Sequence, residues 1–343
     1  MRRRTAVQAR GALVAGALVF VAAQILFTVV ADFWHPELYD EEFAARISLL
    51  HQRQAEAPER PLLLMMGSSR TVMNFRPEVL PELRTADGRC VMPFNFSHLG
   101  AGPTMNLMDY HRLRRAGIRP TWLVLEVMPP ALSNESNSVT MACMSALDLP
   151  LLQRYVDWSA LYPKFVQTRL LPWYRHRQEV VQSVAPSWSV PDDSGGRGRM
   201  RLGPLGGDDG WLLRSDVPAD FLQRQREQTR IDYVPHLKEF RVKESARRAY
   251  GELLDACRRD GVEVVLLLAP EGPAFRSWYT ADGLRQIDAF CAGLRRDHGV
   301  AVIDARTWLP ERDFIDSHHV CAHGADAFTT RLGREALAPL VRR

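Results

Sequence analysis

Leu62-Leu63-Leu64-Met65-Met66-Gly67-Ser68-Ser69-Arg70 is an unbroken apolar run that ends in small residues and a hydroxyl pair. A run without alternation is the pattern of a strand buried on both faces, and such strands belong to parallel sheets covered by helices on each side. Comparable runs follow at 90–96, closed by Gly100, Gly102 and Pro103, at 122–127, stopped by Pro129 and Pro130, and at 262–268, ended by Pro270. A shorter one lies at 301–303. Helical stretches lie between them. Residues 41–55 and 104–116 read as helices, the second ended by Gly117 near its C′ position. Ala246, Ala249, Leu253 and Cys257 form one helical stripe, and Leu284, Ile287, Cys291 and Leu294 form another. Phe328, Leu332 and Ala336 mark a last helix. Strand and helix alternate as in an α/β domain built on an open parallel sheet. Residues 131–243 interrupt the rhythm and read as an insertion between the third and fourth strands, too long for a connecting loop. They hold Trp158, Tyr162, Phe165, Trp173, Tyr174 and Trp188, then a Gly- and Asp-rich stretch over 192–210.

The N-terminus carries a different signal. Residues 11–31 contain no charged side chain, and Gln24 is the one strongly polar group among them. At 1.5 Å per residue they cover about 30 Å, one hydrocarbon core. Arg2, Arg3, Arg4 and Arg10 precede the run, and Asp32, Glu37, Asp40, Glu41 and Glu42 follow it. The expected organisation is a cytoplasmic stub (1–10), a transmembrane anchor (11–31) and an exported domain (36–343). That order predicts a single pass with the large domain on the extracytoplasmic side. A cleaved signal peptide ending at Val29-Val30-Ala31 is the alternative, although its apolar region would exceed the usual ~7–15 residues. The four arginines account for the whole net charge of +4, so the remainder is balanced and no nucleic-acid surface is expected. Five cysteines, Cys90, Cys143, Cys257, Cys291 and Cys321, form no close pair and no zinc spacing. Cys257 and Cys291 fall on apolar helix faces and read as core residues.

A serine hydroxyl is a weak nucleophile until an imidazole takes its proton and an acid orients that imidazole. Ser69 stands just past the first strand, at the edge where the functional loops of such sheets gather. Asp316-Ser317-His318-His319 supplies an acid and an imidazole three residues apart, just ahead of the last helix. Alone, a Gly-Ser-Ser turn is a common loop and an Asp before a helix is commonly an N-cap. Both halves, in the order serine, aspartate, histidine and at opposite ends of one α/β pattern, point to a nucleophilic site of Ser69, Asp316 and His319. His318, His319 and His323 show no acid or cysteine at ligand spacing, so no metal is expected, and no cofactor either.

These blocks resemble the SGNH (GDSL-type) hydrolases over about residues 60–130 and 245–340. Gly67-Ser68-Ser69 is similar to the family's Gly-Asp-Ser, whose third residue is the nucleophile. Asn95 and Gly100 match an Asn followed five residues later by a Gly whose N–H helps to bind the oxyanion. Asp316, His319 and Gly324 match the closing Asp-x-x-His block. The chain departs where the family carries Gly-x-Asn-Asp, reading Glu126-Val127-Met128-Pro129-Pro130 instead. Loss of such an oxyanion donor costs ~10²–10³ in rate unless another group replaces it, and Ser133, Asn134 and Asn137 lie just beyond.

The resemblance implies a flavodoxin-like three-layer sandwich. It further implies serine-dependent acyl transfer or ester hydrolysis, with the Ser69 and Gly100 amides as the oxyanion hole. Arg70, Asn95 and Asn134 are the candidate substrate-binding residues, Arg70 for an anionic group. The anchor, the Gly-Ser-Ser-Arg turn and the insertion together resemble membrane-anchored proteins that work beside membrane-bound O-acyltransferases on bacterial envelope polymers, such as the D-alanyl transfer protein of teichoic acid modification. The expected partners are therefore an envelope polymer or small acyl ester and such an acyltransferase. The alternative is a binding or assembly protein that keeps the fold without turnover. The charge asymmetry across residues 11–31 makes a direct prediction: alkaline phosphatase fused after residue 343 is active in cells. An inactive phosphatase, with an active cytoplasmic reporter at the same junction, would reverse the topology.

Overall fold

The computed structural model describes residues 2–35, 38–133, 137–170, 209–210 and 219–343. Asn134, Trp173, Tyr174, Trp188 and the 192–208 stretch lie outside them. In chain order the main elements are α1 (Arg2–Phe33), α2 (Glu41–Glu56), β1 (Leu62–Met66), α3 (Ser69–Asn74), β2 (Met92–Asn95), α4 (Pro103–Arg115) and β3 (Trp122–Glu126). They continue with α5 (Trp158–Leu170), α6 (Ala219–Lys238), α7 (Glu244–Arg259), β4 (Glu263–Leu268), α8 (Ala281–His298), β5 (Ala301–Asp304) and α9 (Ala322–Leu332). The chain forms two units, one from the described parts of Met1–Glu41 and Thr140–Arg201, the other from those of Glu42–Val139 and Leu202–Arg343.

In the first unit, Arg10–Phe33 of α1 is 24 residues with a mean hydropathy of 2.5, long and apolar enough to cross a membrane. Leu13, Leu18, Phe20 and Ile25 are exposed on it rather than packed into a core. At its end Asp32 is buried, accepting the Ala146 N–H at 2.8 Å and the Arg169 Nε–H at 2.9 Å. On α5, Trp158 and Tyr162 stack at 5.1 Å.

The second unit is built on a five-stranded sheet in the order β2-β1-β3-β4-β5, every pairing parallel. Leu64 sits in register with Phe94 on one side and Leu123 on the other. All five residues of β1 are buried, so the unbroken apolar run has a simple cause: both faces of the strand are covered. Alternate residues serve opposite layers. Leu63, Met65, Val124, Val265 and Leu267 pack with Phe75, which follows α3, and with Phe328 and Leu332 of α9. Leu64, Leu123, Leu125 and Leu266 point the other way, where α4 packs on α7 and α7 on α8. Each such Leu contributes about 1.5–3 kcal/mol by burial. The result is an α/β three-layer sandwich in the flavodoxin-like strand order.

The boundaries differ from the sequence reading in one informative place. The stripe Phe328, Leu332, Ala336 suggests a single last helix, but the helix widens into a π turn over Gly333–Leu337. A Cβ on Gly333 would lie 2.7 Å from Leu80 and 2.8 Å from Pro81, so close packing against that loop displaces the regular turn. The five cysteines are all free thiols, and Cys257 and Cys291 are buried.

Gly67 is set by contact rather than by dihedral angle. A Cβ there would stand 2.2 Å from Thr71 Oγ1 and 2.5 Å from Glu126 Oε2, both on buried residues. Gly67→Ala should therefore lower the denaturant midpoint by the equivalent of about 1–3 kcal/mol. Gly293→Ala, in the interior of α8 with no atom nearer than 3.9 Å to the new methyl, should raise it by up to about 1 kcal/mol. Equal midpoints for the two variants would show that the turn after β1 has slack.

Candidate active site

The turn after β1 presents Ser69 at the carboxyl edge of the sheet. Ser68 is the N-cap of α3, its extended backbone starting the helix and its Oγ accepting the Arg70 N–H at 3.2 Å. Ser69 is then the first helical residue, a position whose N–H has no intrahelical acceptor. Glu126, the last residue of β3, reaches under this turn. Its Oε2 accepts the Ser68 N–H at 2.7 Å, the Ser68 hydroxyl at 2.8 Å and the Thr71 hydroxyl at 3.0 Å.

The second half is a tight turn closed by pairing of Phe314 with Val320 and by the Ile315 N–H on the His319 carbonyl at 2.8 Å. Ser317 takes the left-handed conformation at φ 71°, which costs about 1–2 kcal/mol for a residue with a side chain. Its carbonyl accepts the Gly272 N–H at 2.7 Å, and its hydroxyl bonds to Glu311 Oε1. Held this way, Asp316 folds back on His319. Oδ1 accepts the His319 N–H and Oδ2 accepts Nδ1–H, both at 2.8 Å.

Across 250 residues of sequence, His319 Nε2 lies 2.8 Å from Ser69 Oγ. Burial alone would raise the Asp316 pKa, but the imidazoles of His319 and His318 outweigh it and hold the carboxyl well below the usual range. The ionised acid accepts from Nδ1–H, which leaves Nε2 with a lone pair, so the Ser69 hydroxyl donates to it. Asp316 is buried while Ser69 and His319 are part-exposed, so the relay opens outward at the hydroxyl.

Other expected residues occupy different places. Gly100 is exposed at φ 70° on the loop after β2. That loop is tied beside the serine turn by the His98 N–H on the Gly67 carbonyl at 3.0 Å, and to α2 by the Leu99 N–H on Glu42 at 3.1 Å. Asn95 and Arg70, expected to touch substrate, are both fully buried, and this corrects the sequence reading. Asn95 Nδ2 donates to the Thr71 carbonyl at 2.9 Å and the Phe75 carbonyl at 2.7 Å, and its Oδ1 accepts the Ser97 N–H at 3.2 Å. It is the clasp between the loop and α3. Arg70 donates to Glu271 Oε1 at 3.1 Å, the Ala269 carbonyl at 3.2 Å and the Pro270 carbonyl at 2.8 Å, leaving no face for an anionic ligand. Asn134 falls outside the described residues, and the Ser133 hydroxyl accepts the Arg241 N–H at 3.2 Å.

Sequence reasoning gave Glu126, Glu271 and His318 no part. A strand-ending Glu and a Glu after Pro270 carry no signal until the partner Arg is known to be buried. The His318 ring is packed at 5.3 Å on Phe275, 4.9 Å from Tyr233 and 3.9 Å from His319; its Nδ1 lies 3.2 Å from Asp316 Oδ1 but out of line for a hydrogen bond, and its Nε2 makes none. An acid does stand near the histidines: donor atoms of Asp316, His318 and His319 lie within 4.8 Å of one another. Both Asp316 oxygens are already engaged by His319.

A protein-family model matches residues 238–339, the part that holds β4, β5 and the Asp316–His319 turn. No curated protein matches the chain. Among solved structures, a proposed acylhydrolase from Bacteroides fragilis is similar at a TM-score of 0.40 and 11% identity, over 87% of this chain and 98% of that one. At that score the likeness is slight, and the chemistry has to be read from the side chains.

His318 gives the site a pH signature in stability. Burial, reinforced by the adjacent His319 and opposed by Asp316, pushes its pKa down to about 4. Between that value and the ordinary 6.5 the unfolded chain binds a proton that the folded chain refuses. Stability is thus complete above about pH 6.5 and falls as pH drops towards 4, by up to roughly 3 kcal/mol. Urea unfolding from pH 7 to 4.5 should show this fall in the wild type and a flatter profile in His318→Phe. The same slope in both would remove His318 as its source. Asp316, with its depressed pKa, acts in the lower window, losing its contribution only below about pH 4.

Proposed function

We propose that this chain is a membrane-anchored serine enzyme of the SGNH type that moves an acyl group from an ester donor to a hydroxyl acceptor or to water. The observation that carries the reading is the hydrogen-bonded relay from Ser69 Oγ through His319 to Asp316, 2.8 Å at each step. In the first step Ser69 Oγ attacks the ester carbonyl as its proton passes to His319 Nε2. The oxyanion that forms is bound by the Ser69 and Gly100 N–H groups. Collapse breaks the ester bond, and His319 returns the proton to the departing alkoxide, leaving an acyl-serine and an alcohol. In the second step an acceptor hydroxyl, deprotonated by His319, attacks the acyl-serine and regenerates Ser69. Water in that role gives hydrolysis, and a polymer hydroxyl gives transfer.

The apolar α1 supports a membrane location, and the resemblance of the motifs supports an envelope polymer as acceptor and a membrane-bound O-acyltransferase as partner. A second reading, an assembly protein without turnover, is favoured by one observation: Glu126 stands where the family has its Asn block, and a carboxylate, whose Oε2 here accepts from Ser68 and Thr71, donates nothing to an oxyanion.

Kinetics on a small acyl ester separate the two. Ser69→Ala and His319→Ala should each abolish turnover, Asp316→Asn should leave a trace, and the Ser69→Ala/His319→Ala pair should be no worse than either alone, since triad members act as a unit. A fluorophosphonate should label Ser69 and not Ser68. Full acylation of envelope polymer in cells carrying Ser69→Ala would end the enzyme reading and leave the assembly protein.

A further inference from the structure

The two halves of the relay come from opposite ends of the chain, and something must fix their separation. The loop after β4 lies between them. On one side it takes three hydrogen bonds from the Arg70 guanidinium, through the Ala269 and Pro270 carbonyls and Glu271 Oε1. On the other, Gly272 N–H binds the Ser317 carbonyl at 2.7 Å, and Ala274 N–H binds Glu311 Oε2 at 3.0 Å. Glu311 in turn accepts the Ser317 hydroxyl, so the loop grips the Asp316–His319 turn at two points. Gly272 permits this approach because a Cβ would meet the Ser317 carbonyl oxygen at 2.8 Å and Glu311 Oε2 at 2.7 Å.

The grip on the serine side depends on one buried cation. Arg70 is fully buried, with Glu271 as direct partner and Glu126 Oε1 at 3.8 Å from its Nε. Glu271 is itself fixed by the Tyr279 hydroxyl at 2.9 Å. Glu126 holds the Ser68 and Thr71 hydroxyls on the residues flanking Ser69 and Arg70. Arg70 follows Ser69 directly, so moving the guanidinium moves the nucleophile's backbone.

We propose that Arg70 is a positioning residue: its guanidinium is a strut from the serine turn to the loop after β4, and through that loop it sets the distance between Ser69 Oγ and His319 Nε2. The proposal rests on the serine chemistry above, and it replaces the anion-recognising role expected from sequence. A lysine cannot perform it. A single ammonium on a flexible stem does not hold two carbonyls and a carboxylate in a fixed fork.

The test uses the full chain in detergent with a neutral ester such as p-nitrophenyl acetate, which offers no anion for an arginine to bind. Arg70→Lys should keep KM and lower kcat by about 10–100-fold, the scale expected for a misplaced reacting group. Replacing the ion pair in Arg70→Met/Glu271→Met should restore thermal stability towards wild type, as apolar replacements of buried pairs commonly do, without restoring kcat. A downfield His319 Nδ1–H proton resonance in the wild type should shift in both variants. A kcat within twofold of wild type in a folded Arg70→Lys, or full kcat in the double variant, would overturn the strut. Should Arg70→Lys fail to fold, the double variant decides alone. Should wild-type turnover survive in Ser69→Ala, the serine chemistry itself fails, and an unshifted His319 resonance would then overturn the strut as well.

Discussion

A parallel sheet delivers the loop after every strand to the same edge, and the site depends on that constraint. β1 brings Ser69, β2 the Gly100 loop, β3 Glu126, β4 the Ala269–Gly272 segment, and the chain beyond β5 the Asp316–His319 turn. The strand order leaves β3 between β1 and β4. Two strand spacings, roughly 10 Å, therefore separate the serine turn from the loop that it must meet. Arg70 crosses that gap over the end of β3, with Glu126 beneath it. A long side chain ending in a planar fork suits the span.

The electrostatics follow from the same crossing. A guanidinium taken out of water needs close acceptors, and the edge supplies the Glu271 carboxylate and two carbonyls, with the Glu126 carboxylate 3.8 Å away. Burial alone would lower the Arg70 pKa, yet Glu271 and Glu126 more than offset it and hold the group charged. Glu126 is thereby committed twice, to the hydroxyls that build the serine turn and to the arginine behind it. The end of β3 thus serves construction, holding the serine turn on one side and facing the arginine on the other.

The layers and the strand sequence were legible because burial on both faces leaves an uninterrupted apolar signature, and runs such as 62–66 and 262–268 carry it. Ser69 was legible because it follows a strand end, and Asp316 and His319 because of their three-residue spacing; the fold brings the three side chains together at 2.8 Å per step. Residues that matter through one another were not. Arg70 beside a nucleophile suggests a ligand, and only the burial of its partners Glu126 and Glu271, 56 and 201 positions away, turns it inward. Asn95 misled for a similar reason, since a polar residue at a strand end reads equally as a ligand or a clasp. His318 is buried by Phe275 and Tyr233, which sequence does not bring near it.

The left-to-right order of these parts also sets a clock. Ribosomes add roughly 5–20 residues per second, so the imidazole partner of Ser69, 250 positions later, is made some 12–50 s after it. During that interval the β1 turn can form with β3, then meet the β4 edge once it is made, and the turn beyond β5 comes last. Until then the Ser69 hydroxyl lacks the imidazole that it meets in the fold. The contact between Ser69 and His319 closes only once residue 319 has been added.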